Sequence, residues 1–131
     1  MHIVTHDHAL PDTLLAIDNT QDVLALADTL ARTPQVLLQF PKWTDGRAYS
    51  QARLLRSRLR YGGEIWAGGD VLLDMLPLLQ RCGFDGARLA AGQDAAAASE
   101  AISHFSGFGA LYQADLVSKL PHYAQPARVQ R

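Results

Sequence analysis

The sequence predicts an α/β fold: four consecutive βα units around a parallel sheet, set either as half of a (β/α)8 barrel or as a small doubly wound sheet. Three observations carry this. Short apolar runs alternate with stretches of helical periodicity along the chain. The runs contain little polar alternation, as in strands covered by helices. And at 131 residues, 48% of them hydrophobic, the chain suits one domain with a real core.

The elements follow in order. LLAI (14–17) is the first apolar run. Over 20–32, Val23, Leu26, Ala27, Leu30 and Ala31 fall at helical spacing behind a cap at Asn19 or Thr20, and Pro34 ends the helix. QVLLQF (35–40) reads as a strand. Residues 47–60 read as a helix with Ala48, Ala52, Leu55 and Leu59 on one face, stopped at Gly62–Gly63. EIWAG (64–68) is the third strand. Asp70 starts a helix expected to reach Arg81, shortened or kinked by Pro77, with Gly83 just past its end. GARLA (86–90) is the fourth strand, and Asp94 caps a last helix through Phe105. Residues 1–12 are expected to be a flexible N-terminal segment. Residues 112–131, with Pro121 and Pro126, are expected to be an extended C-terminal arm.

Composition narrows the function. A formal charge of −1 argues against a chain held to nucleic acid by bulk positive charge. No apolar run reaches the roughly 20 residues of a membrane span. The start, MHIVTHDHALPD, lacks the pattern of a secretory signal, and the single Cys82 cannot pair within the chain. A cytoplasmic protein is the expectation. Cys82 lies at a helix end and reads as a buried structural thiol. His2, His6 and His8 have no accompanying Cys or Glu set, so no metal site is expected.

Charge is unevenly placed. Between residues 42 and 60, Lys42, Arg47, Arg53, Arg56, Arg58 and Arg60 face Asp45 alone. Ten of the twelve basic residues are arginine, a side chain suited to two-pronged contact with oxyanions and carboxylates. Arg53, Arg56 and Arg60 share a stripe by spacing, which reads as a solvated face or as a partner-docking surface.

In parallel α/β folds ligands gather at the carboxyl ends of the strands. Three polar junctions occupy that position: Lys42, Trp43, Thr44, Asp45 and Arg47 after the second strand, Gly68, Gly69 and Asp70 after the third, and AGQD with Asp94 after the fourth. Lys42 and Arg47 would hold an anion there and Trp43 would present a flat surface. The same residues are also ordinary turn and cap chemistry, with Asp70 and Asp94 more readily caps than acids. Neither G-x-G-x-x-G nor G-x-x-x-x-G-K-[ST] occurs, no serine sits in a nucleophile elbow, and no cofactor signature is evident.

The segments FPKWTDGRAYSQARLLRSR, YGGEIWAGGDVLLDMLPLLQRCGFD and FSGFGALYQ resemble the bacterial domain of unknown function 934 family, over residues of about 35–113. Its members commonly lie beside assimilatory sulfite reductase and carry the label of probable oxidoreductases. The resemblance implies a role in reductive sulfur assimilation but brings no catalytic residues with it. Two functions are therefore expected. One is an accessory protein, a homodimer docking sulfite reductase or an associated redox protein through its arginines. The other is a small enzyme or binding protein for a sulfur or phosphorus oxyanion-containing molecule. With no cofactor signature and one cysteine, any electron transfer would need a cofactor supplied by a partner.

Overall fold

The structure is a computed structural model and describes residues 1–98. Five strands form one parallel sheet: β1 (His2–Val4), β2 (Leu14–Ile17), β3 (Gln35–Phe40), β4 (Glu64–Gly69) and β5 (Gly86–Arg88), in the spatial order β1-β5-β4-β3-β2. From β2 to β5 each strand lies beside its successor, in register Leu14 with Gln35, Gln35 with Glu64, and Trp66 with Gly86. The strands from β2 to β5 thus step one way across the sheet, and β1 lies at the edge beyond β5.

The added strand corrects the expectation for the N-terminal segment. His2–Val4 pairs with β5, His2 N–H donating to Asp85 O at 2.9 Å and Leu89 N–H to Val4 O at 3.0 Å. Three residues carry no periodicity of their own; the free edge of β5 supplies the partner that makes them a strand.

The helices are shorter than their apolar periodicity implies. A 3₁₀ turn over Val23–Leu26 runs into α1 (Ala27–Leu30), and its cap is Asp22, not Asn19 or Thr20. α2 spans Arg47–Ser57. Arg60, beyond it, takes φ 52°, so the chain turns before the glycines. A second 3₁₀ turn, Leu73–Met75, leads into α3 (Leu76–Arg81), with Pro77 in its first turn where no N–H is needed. Gly83 follows at φ +103°, the left-handed stop. The last expected helix is described only at its start, where 96–98 are helical; the rest of it and the 112–131 arm lie outside the described residues.

One face of the sheet carries the core. Ile17, Val36, Leu38, Phe40, Ile65 and Ala87 are at most 1% exposed and meet Ala48, Ala52, Leu55, Leu76 and Leu79 from the helices. Phe40 packs edge-on against Tyr49 at 5.0 Å and tilted against Phe84 at 6.1 Å. Among the described residues the opposite face is only partly covered: in β3, the half-buried Gln35, Leu37 and Gln39 alternate with the buried set. There Trp66 lies over Gly86, where a Cβ would come within 2.6 Å of the indole, and stacks with His2 at 6.4 Å. Leu72, Leu73 and Leu78 pack partly buried against the core.

Candidate functional site

Parallel strands bring the three polar junctions to one end of the sheet, and backbone chemistry ties them together. Gly69 adopts φ +93°, and a Cβ there would sit 2.4 Å from Phe40 O. Only glycine permits that approach. The turn lets Asp70 N–H donate to Phe40 O at 2.8 Å, while Asp70 Oδ2 accepts Trp43 N–H at 2.8 Å. The junctions after β3 and β4 are thus pinned to each other. The junction after β5 joins them through Ala90 N–H to Val71 O at 2.9 Å and Leu73 N–H to Gln93 Oε1 at 3.0 Å.

Beside this rim an open cleft of about 560 Å³ lies on the partly covered face of the sheet. Leu37 and Gln39 of β3, Gly68 of β4 and Arg88 of β5 line it from the strands, and His6 from the β1–β2 connection. Among the described residues, Asp70 is the one carboxylate in the lining, and one of its oxygens is engaged by Trp43. Arg88 Nη1 makes a long, 3.4 Å contact to His8 O. The arrangement offers the partly buried guanidinium of Arg88 and amide of Gln39 and the exposed imidazole of His6 around an open cleft, a donor set for an anionic group.

Of the residues the sequence singled out, Gly68, Gly69 and Asp70 line this cleft. Lys42, Trp43 and Thr44 are exposed at the junction outside it, Trp43 at 56%. Asp45 has a structural engagement: it accepts Asn19 Nδ2 at 2.8 Å and Arg47 N–H at 3.1 Å, with the Arg47 guanidinium 3.6 Å away. Arg47 itself is exposed. Its charge also helps hold the Asp18 carboxyl below the ordinary value, after the larger effect of the Thr20 N–H and hydroxyl bonds. Asp70 does not cap α3; that helix is entered through Leu72 and the 3₁₀ turn. Asp94 acts as a cap, accepting Ala96 N–H at 2.9 Å, and does not line the cleft.

The arginine stripe needs correction. Arg53 and Arg60 are exposed, but Arg56 is only 8% exposed. Its guanidinium donates to Gly83 O, Tyr61 O, Gly63 O and Asp85 Oδ2, the last at 2.6 Å. It fastens the end of α2 to the turn before β5 and is closed to a partner. The signal lay in the spacing: Arg56 continues the buried row Ala48, Ala52 at i+4.

Gln39 and Arg88 escaped the sequence reading, and His6 entered it only as a metal ligand that was set aside. Arg88 and Gln39 sit in apolar runs at alternate positions, so their face depends on which side the helices cover. Among the described residues, no group of three or more His, Cys, Asp or Glu could hold a metal ion, and no helix is long and apolar enough to cross a membrane.

A family model described as "Bacterial protein of unknown function (DUF934)" matches residues 15–123, and the chain belongs to that family. No curated protein and no solved structure matches it.

Proposed function

We propose that this member of the DUF934 family binds a small molecule carrying a sulfur or phosphorus oxyanion, in the cleft at the carboxyl ends of β3, β4 and β5. The observation that carries the reading is Arg88: a partly buried sheet arginine lining the cleft with Gln39 and His6, held among the described residues by one long bond to His8 O. A planar guanidinium so placed can grip two oxygens of one anion, and partial burial strengthens the contact over its value in water. The role in reductive sulfur assimilation that the sequence resemblance implies makes sulfite and sulfate the first anions to try. The accessory reading rests on an arginine face that has lost Arg56 to the interior, so the ligand reading has more support.

Calorimetric titration of the full chain with sulfite, sulfate and phosphate tests this. Arg88→Met should abolish the heat of binding for whichever anion binds, with the unfolding transition unchanged. Full binding by Arg88→Met, or binding lost instead on Lys42→Ala with Arg47→Ala, overturns the assignment of the site.

A further inference from the structure

We infer that the oxyanion bound in the cleft is one part of an organic ligand that also carries a flat aromatic ring, the pattern of a mononucleotide. This rests on the anion site proposed at Arg88. Two observations extend it. The first is size. A cleft of about 560 Å³ falls within the ~300–1,000 Å³ of sites that enclose drug-sized ligands. A bare oxyanion fills only a few water volumes of about 30 Å³ each.

The second is Trp43. At 56% exposure it is the exposed large hydrophobic side chain among the described residues. It stands two residues beyond Pro41, which lines the cleft, and its backbone N–H is held by Asp70, which lines it too. The backbone of a solvent-facing indole is therefore fixed to the wall of an anion-binding recess. Indole faces stack on heteroaromatic rings, and such stacking tolerates many ring types. A ligand whose anionic group sits at Arg88 and whose body leaves the cleft past Pro41 and Asp70 meets Trp43 on the way out. A ring at that point would cover surface that otherwise faces water. Lys42, adjacent and exposed, adds positive charge along the same exit.

The test compares adenosine 5′-monophosphate, ribose 5-phosphate and inorganic phosphate by calorimetry on the full chain. Three variants are used: Trp43→Ala, Trp43→Phe and Arg88→Met. The expected result is tightest binding of the adenosine compound, weakened about 5-fold or more by Trp43→Ala and largely restored by Trp43→Phe. The two ring-free compounds should not respond to Trp43. Equal affinity for all three, unchanged by Trp43→Ala but lost in Arg88→Met, would overturn the aromatic inference and leave the anion site standing. Absence of binding by any of the three, or full binding by Arg88→Met, would remove the anion site and the inference with it.

Discussion

Replacing Arg56 by methionine should cost the fold about 3–5 kcal/mol, the range for removing one partner of a buried ion pair. Methionine keeps most of the aliphatic packing, so the loss isolates the guanidinium. That group makes two bonds to Gly83 O at 2.8 and 3.2 Å, one to Tyr61 O at 2.7 Å, one to Gly63 O at 2.9 Å and one to Asp85 Oδ2 at 2.6 Å. Bonds to charged donors contribute roughly 1.5–3 kcal/mol apiece, but the carbonyls near the surface can recover water, so the sum overstates the loss. What remains is Asp85, its side chain 16% exposed, deprived of the guanidinium. Against a total stability of about 5–15 kcal/mol this is a large fraction. Urea unfolding followed by circular dichroism reads it directly: with a slope near 2 kcal/mol/M the midpoint should fall by about 1.5–2.5 M. Arg53→Met, on the exposed face three residues earlier, should stay within about 0.5 kcal/mol. A loss below about 1 kcal/mol for Arg56→Met, or equal losses for both variants, would refute the structural role given to Arg56.

Gly69→Ala should destabilise by about 2–3 kcal/mol, from the positive φ and the approach to Phe40 O, measurable by the same denaturation. Tyr49 has its phenol pKa raised by burial and, to a smaller degree, by negative charge at the nearby Cys82. An acid with a raised folded pKa stabilises fully below its unfolded value near 10 and loses that contribution as pH climbs through the folded value. Thermal unfolding should therefore show a falling melting temperature above pH 10, and Tyr49→Phe should shift that decline to higher pH; an identical alkaline limb in both proteins would contradict the burial argument. Asp45→Ala should lower stability by about 1 kcal/mol through loss of the Asn19 and Arg47 bonds while leaving anion titration unaltered.

Parts of this architecture could be read from residues alone, and the reasons differ by element. Leu14–Ile17 and Gln35–Phe40 were legible because apolar runs end at turn formers, and the parallel class followed from their alternation with helices. β1 was not, since three residues become a strand only when β5 offers its edge. Helix lengths were overestimated because periodicity persists through 3₁₀ turns and loops that still bury apolar side chains, as at Leu59 and Val71. At the site, the Gly68–Gly69–Asp70 junction was visible from its glycines and position. Arg88 was hidden because a single charge in a short strand does not reveal which face it takes. Arg56 was misassigned for the complementary reason: a helical stripe gives spacing but not which stripe the sheet covers, and only the run Ala48, Ala52, Arg56 tied it to the buried side.

Crystals grown with sulfite, sulfate or phosphate offer the most direct measurement of the cleft. Difference density within hydrogen-bonding distance of the Arg88 guanidinium, between Gln39 and His6, is the predicted result. An anion seated instead between Lys42 and Arg47, with the Arg88 recess holding water alone, would contradict it.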